Sequence, residues 1–247
     1  MNIELFQYNT PTPVGRQEQE DAEDRSETGD QRFAVTDRTT LKRLPERGSH
    51  ERDVVHSILD AGFVCHLGFV TDRGPVVIPT AYGRTGDEVF IHGSPASRML
   101  RSLKAGVEVC LTVTLVDGLV LARSTFHHSI NFRSVVVFGR ATQVTDPAKK
   151  KEALLAFVEH AVPGRNADAR PPSDQEVKGT LVLSLPLAEA SAKVRTGPPI
   201  DEPEDLELPV WAGVLPLPPT PAVPQPDEFV TDAVAVPEYI AGYRRPA

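Results

Sequence analysis

The feature that most constrains this fold is a succession of short apolar segments joined by tight polar turns. FVCHLGFVT and PVVIPTAYG are rich in β-branched and aromatic residues, and the turn TDRG lies between them; RTGD then leads to EVFIHG. Such segments are typical of strands joined as hairpins. Parallel strands would need crossovers of a dozen or more residues, so the sequence predicts antiparallel pairing.

Further strands are expected in the second half of the chain. GVEVCLTVTLV and LVLARSTFH flank Asp117-Gly118, a dipeptide that favours a type I′ hairpin turn. RSVVVFGRATQVT follows, and after a polar loop, GRNADARPPSDQE, GTLVLSLPL and EASAKVRTG form a last pair.

Three helices are predicted between these strands. One spans His50 to Ala61, one spans 95–105 after the start signal Ser94-Pro95, and one begins at Pro147. The fold class is therefore mainly β (α+β): a closed or partly closed antiparallel barrel with short helices at its mouths.

The composition changes at both ends of this region. Residues 1–36 read as a disordered acidic tail with little apolar surface to bury, residues 37–197 as the barrel domain, and residues 198–247 as a proline-rich extension partly docked on the barrel or on a partner. Trp211, the one tryptophan, would anchor this extension in an apolar groove.

Charge and cysteine content exclude several classes of partner. A net charge of −8 gives no electrostatic reason to bind nucleic acid or an anionic membrane. The chain has no apolar run long enough to span a bilayer, and its start does not resemble a secretory signal. Cys65 and Cys110 lack a CxxC context, so we expect core cysteines and a cytoplasmic location.

Two segments could carry chemistry. In IHGSPASRML, Ser97 and Arg98 stand in the first turn of a predicted helix, where an arginine suits a phosphate partner; a capped surface helix with an incidental arginine is the alternative. His92 is expected to point toward the same helix start, either as a catalyst or as a satisfied core histidine.

The second segment is HHSINFRSVVVFG, which begins with His127 and His128. It reads either as a loop between strands or as part of a metal site. No further ligand follows at an informative spacing, so no metal site is predicted. The chain also contains no GxGxxG, GxxxxGK[ST] or GxSxG motif.

The segments GFVCHLGFV, VVIPTAY, VFIHGSPASRMLRSL, FHHSINFRSVVVFGRA and LPVWAGVLPL occur in the order seen in one family. Over about residues 39–217 the chain resembles the pyridoxamine 5′-phosphate oxidase-related flavoproteins, especially the nitroimidazole-reductase-like branch. The resemblance implies an antiparallel split β-barrel that forms a homodimer with two FMN molecules between the subunits. It departs from the vitamin-making oxidases at Met99, where they have lysine, and at Phe132, where tyrosine is frequent.

The resemblance also implies roles for individual residues. Ser97 and Arg98 would hold the FMN phosphate, and His92 would lie near the flavin. The remaining flavin contacts would come from two short runs and one aromatic residue: Val77, Ile78, Pro79, Thr80, Ala81, Arg133, Ser134, Val135 and Trp211.

The function expected from these features is a flavin-dependent oxidoreductase that acts on a small molecule. FMN would carry the electrons, and His92 would polarise or protonate the substrate. Two alternatives stay open. One is a non-catalytic flavin- or haem-binding protein in which His127 or His128 is the axial ligand. The other is a deazaflavin-dependent reductase on the same fold.

Overall fold

The computed structural model describes residues 31–230 and 234–245. The helices are α1 (Arg52–Ala61), α2 (Arg98–Lys104), α3 (Pro147–Ala161), α4 (Asp174–Gly179) and α5 (Glu238–Ala241). The strands are β1 (Gly48–Ser49), β2 (Val64–Thr71), β3 (Gly74–Ala81), β4 (Gly83–Thr85), β5 (Glu88–Gly93), β6 (Glu108–Leu121), β7 (Ser129–Arg140), β8 (Thr142–Gln143), β9 (Leu181–Pro186), β10 (Glu189–Arg195) and β11 (Gly213–Pro216). Within the described residues, no helix combines the length and the apolar character needed to cross a bilayer.

The chain divides into two compact units. The first comprises the described residues of 31–59, 110–138 and 187–218, and the second those of 60–109, 139–186 and 219–245. In the first unit β10 pairs antiparallel with β1 on one side and with β7 on the other. β11 pairs antiparallel with the end of β6.

The expected hairpin turn at Asp117-Gly118 is wrong, because β6 runs unbroken through both residues. Gly118 instead allows a close approach of β11: a Cβ atom there would lie 2.9 Å from the carbonyl oxygen of Leu215. The Asp117 carboxylate accepts two hydrogen bonds from the guanidinium of Arg133, at 2.9 and 3.0 Å. The glycine therefore serves packing between strands, and the acid serves an ion pair.

In the second unit β2 and β3 form the predicted hairpin, paired from Val64 and Ala81 to Thr71 and Gly74. A separate antiparallel sheet has the order β4-β5-β9-β8. Helix α3 lies against this sheet so closely that a Cβ atom on Gly83 would come 2.6 Å from the Cα of Phe157.

The helix starts differ from the predicted ones for local reasons. α2 begins at Arg98, and its N-cap is Ser97, whose hydroxyl accepts the N–H of Leu100; Ser94 caps only the preceding turn, through the N–H of Ala96. α4 was not predicted at all and lies in the expected loop. Ser173 and Glu176 form a complete capping box at its start.

At the N-terminal side, residues 1–30 of the expected acidic tail lie outside the described residues. The last part of that segment is packed: Phe33 is 4% exposed, and its N–H donates to the carbonyl of His50 at 2.9 Å. The guanidinium of Arg52 lies over the Phe33 ring. The packed part of the chain thus includes residues that precede position 37.

Candidate functional site

The β2–β3 hairpin presents an open, largely apolar face. Residues alternate across the strands, and Cys65, Leu67 and Phe69 point into the core. The opposite face carries His66 and, around it, Val64, Val70, Pro75, Val77, Pro79 and Ala81, all exposed. Val77 is 66% exposed. A sheet face of this composition is typical of a binding surface.

His66 is the one ionisable side chain among the exposed residues of this hairpin face. Its ring lies opposite Pro79 on β3 and makes no hydrogen bond or ion pair with any described residue. Histidine is a common metal ligand, and an imidazole with free nitrogens on an apolar face is suited to bind the iron of a flat, apolar cofactor such as haem. His66 is not among the site residues predicted from the sequence, although VCHLGFV carries a signal for it, with apolar residues on both faces of one strand.

The predicted flavin contacts in the run from Val77 to Ala81 fall on two faces of β3. Val77, Pro79 and Ala81 share the open face with His66, whereas Ile78 and Thr80 point the other way and are half-buried. The strand alternation therefore divides the five residues, and three of them are placed to touch a molecule on the open face.

Helix α2 carries two arginines without protein partners. At least eight arginines in the described chain form ion pairs with carboxylates, for example Arg84 with Asp60 at 2.5 Å. Arg98 and Arg101 are exposed, and neither side chain pairs with any described residue. They are three residues apart and so lie on one side of the helix. This arrangement can bind an anion such as a phosphate.

The hydroxyl of Ser97 is directed to the helix backbone. It accepts the N–H of Leu100 at 3.4 Å, a long hydrogen bond in which a stronger acceptor could take the place of the hydroxyl. Because α2 has only seven residues, its dipole adds little, and the two guanidinium groups supply most of the attraction for an anion.

His92 points away from α2, which corrects its predicted orientation. Gly93 faces Leu100 of α2, so its neighbour His92 lies on the opposite face of β5. There the imidazole packs edge-on against Phe157, with ring centroids 4.3 Å apart, in a cleft of about 560 Å³ beneath α3. Burial lowers the pKa of His92, so the neutral ring is favoured. Its catalytic role stays a prediction.

The other predicted flavin contacts lie in the first unit. Three of them, Arg133, Ser134 and Val135, are paired or buried within that unit. Arg133 is paired with Asp117, the Ser134 hydroxyl donates to the carbonyl of Lys193, and Ser134 and Val135 are fully buried. Trp211 is 67% exposed, with its ring against Gly213. The expected apolar groove therefore does not enclose this ring.

Of the two histidines proposed as haem ligands, His128 is engaged by a hydrogen bond and His127 lies near a carboxylate. The Nδ1 atom of His128 accepts the N–H of Ala122 at 3.2 Å, so a neutral ring holds its proton on Nε2 and would have to lose it to bind iron there. The Nε2 atom of His127 lies 3.7 Å from the carboxylate of Glu202. Among the described residues, no group of three or more His, Cys, Asp or Glu side chains is arranged to hold a metal ion.

Residues 51–194 match the sequence profile of the family described as pyridoxamine 5′-phosphate oxidase. The chain therefore belongs to this family, and the predicted antiparallel split-barrel fold is confirmed. No curated protein matches the chain.

Two solved structures resemble it over most of their length. The flavocytochrome Anf3 from Azotobacter vinelandii is 43% identical, with a TM-score of 0.78, and the match covers 85% of this chain and 98% of that one. The FAD and heme binding protein from Mycobacterium smegmatis is 33% identical, with a TM-score of 0.77, and the match covers 81% and 98%.

Proposed function

We propose that this protein binds a flavin nucleotide and a haem and acts as a flavin-dependent redox protein on a small molecule. The observation that carries the proposal is the free imidazole of His66 on an exposed apolar hairpin face. It is supported by relatives named for a flavocytochrome and for FAD and haem binding. Flavin supplies electron-pair chemistry and haem supplies one-electron chemistry.

The flavin phosphate is assigned to Arg98 and Arg101. They are cations without a carboxylate partner among the described residues, so binding an anion breaks no existing ion pair. FMN and FAD share the phosphate that these arginines would contact. Because one relative is named for FAD and haem binding, we favour FAD over the FMN that the sequence resemblance implies. Release of the bound flavin by heat, followed by mass measurement, distinguishes the two.

Arg98→Ala tests the phosphate assignment. Loss of one charge-assisted contact should weaken binding of FAD and FMN roughly ten- to a hundredfold. Riboflavin, which has no phosphate, should bind both proteins equally. Lys104→Ala removes a cation from the other end of the same helix and is the matched control. Equal flavin affinity in wild type and Arg98→Ala would contradict the assignment.

The haem is assigned to the open face of the β2–β3 hairpin, with the ring of His66 as iron ligand. Val64, Val70 and Val77 would cover the apolar edge of the macrocycle. In haem titrations followed by absorbance, His66→Ala should lose the Soret shift of the wild type, whereas His127→Ala and His128→Ala should keep it. If His66→Ala keeps that shift and either control variant loses it, the iron ligand is the histidine replaced in that control, His127 or His128, and not His66.

A homodimer is the proposed assembly. Large apolar side chains are exposed in each unit, among them Ile200 at 75% in the first and Phe229 at 82% in the second. Surfaces of this kind are usually covered by a partner. Light scattering should give about twice the chain mass of 26.9 kDa. The catalytic role of His92 remains a prediction without a place in this assignment, because its ring lies on the face of β5 opposite α2.

A further inference from the structure

A second cleft, with no part in the proposed flavin and haem sites, opens between α3 and the sheet β4-β5-β9-β8. Its volume is about 620 Å³, which lies in the range of small-molecule sites. On the helix side the lining residues Ala153 and Ala156 are small, whereas the neighbouring Phe157 fills the space next to Gly83. The cleft therefore exists because the helix presents alanines to this part of the sheet.

The sheet side of the cleft is formed by side chains that share one face. Ser184 on β9 is the direct partner of Phe90 on β5 and of Thr142 on β8, and all three line the cleft. Residues directly opposite in antiparallel strands point to the same side. Phe90 thus offers an aromatic surface beside two hydroxyl groups.

Ser184 is the observation that points to a ligand. The residue is 6% exposed, and its hydroxyl makes no hydrogen bond to any described residue. Although the residue as a whole is buried, its hydroxyl oxygen is open to the cleft, and a hydroxyl group in such a place normally has a hydrogen-bond partner. A polar group of a molecule in the cleft would provide the missing partner.

The charges around the cleft favour a cation. Glu88 on the sheet side and Glu152 on the helix side have no partner among the described residues. Asp146 uses one carboxylate oxygen to cap α3, through the N–H of Lys149. With Lys149 as the cation among the lining residues, three carboxylates face one ammonium group, a formal charge of −2.

We propose that this cleft binds a small organic cation that carries a hydroxyl group, such as a hydroxyalkyl ammonium compound. The ammonium group would lie over the ring of Phe90, where cation–π attraction adds to that of Glu88 and Glu152. The hydroxyl group would hydrogen-bond to Ser184. The site is separate from α2 and from the open face of the hairpin, so the proposal stands independently of the flavin and haem assignments.

Choline and its uncharged isostere 3,3-dimethyl-1-butanol are the probes, titrated into the full-length protein and followed by NMR. Choline should bind with a Kd of roughly a millimolar or tighter, and the isostere at least about tenfold more weakly. Glu88→Gln combined with Glu152→Gln should weaken choline binding about tenfold, with Glu207→Gln, an exposed acid elsewhere, as the control.

Ser184→Ala separates recognition of the hydroxyl group from recognition of the charge. It should weaken choline severalfold but leave tetramethylammonium, which has no hydroxyl group, unchanged. Circular dichroism of each variant establishes that it is folded. Equal affinity for choline and its isostere, unchanged binding in the double variant, or no choline binding at about 10 mM would each overturn the proposal.

Discussion

Arg245 should be the most important single side chain for the stability of the second unit outside its core. Its guanidinium donates to the carbonyls of Asp60 at 2.5 Å, Ala61 at 3.1 Å and Gly62, where α1 ends, and to that of His160 at 2.6 Å, next to the end of α3. The last carbonyls of a helix lack partners within the helix and carry partial negative charge. One cation therefore caps two helix ends at once.

Replacing Arg245 by alanine removes all of these hydrogen bonds and the cation. A hydrogen bond to a charged group contributes about 1.5–3 kcal/mol when it is lost. The site is half-buried, so water reaches part of the vacated space, and we expect a total loss of about 2–3 kcal/mol. For a chain of this size that corresponds to a fall in Tm of roughly 4–12 °C.

Urea unfolding followed by far-UV circular dichroism measures this loss, and two variants define its origin. Arg245→Lys keeps the charge but not the planar fork, so it should recover part of the lost stability. Arg244→Ala removes the neighbouring exposed arginine and should stay within about 0.5 kcal/mol of wild type. If Arg245→Ala is no less stable than Arg244→Ala, the capping argument is refuted.

Two further predictions concern the same unit. Gly83→Ala should cost about 1–3 kcal/mol, because the new Cβ would meet the backbone of Phe157; Gly179→Ala, where a Cβ meets nothing within 4 Å, should be nearly neutral in the same urea assay. Burial lowers the pKa of His160 below 6.5. Below about pH 6.5 the unfolded chain therefore binds a proton at this histidine more readily than the folded chain does, and the free energy of unfolding decreases as the pH is lowered. His160→Gln should flatten the stability profile between pH 7 and 5; an unchanged slope would exclude this histidine as the cause.

Two elements whose sequence signals are local were predicted correctly. The β2–β3 hairpin follows from two β-branched segments around a short polar turn. The start of α3 follows from Pro147, with Asp146 as its N-cap. α4 also had a local signal, the capping box of Ser173 and Glu176, but the segment was predicted as a polar loop.

The errors arose where a distant segment decides the local structure. Asp117-Gly118 has the composition of a turn, yet β11, about a hundred residues later, lies against Gly118 and keeps β6 extended. The start of α2 is a local error instead: Ser94-Pro95 resembles a helix start, yet Ser97 is the N-cap and α2 begins at Arg98. No pattern near Arg98 or Arg101 shows that they lack carboxylate partners, because that depends on where every acid of the fold lies.

The open face of the β2–β3 hairpin has a sequence suited to burial on both sides. β2 alternates Cys65, Leu67 and Phe69 with Val64 and Val70, and both sets are apolar except at His66. A strand that is apolar on both faces is typical of one covered on both faces, yet the described chain buries only the first set. The second set is therefore suited to be covered by a ligand or a partner.

The edge strand β3 limits what can cover the open face of the hairpin. β3 is the edge strand of its sheet in the described part of the chain, and it contains Pro75 and Pro79, which have no N–H to offer to a further strand. Prolines at such positions discourage a neighbouring chain from extending the sheet. The apolar face itself remains open, and its imidazole, His66, has no partner among the described residues. A flat apolar cofactor laid on the face satisfies both conditions, because it covers the valines and uses the imidazole without needing any N–H of β3.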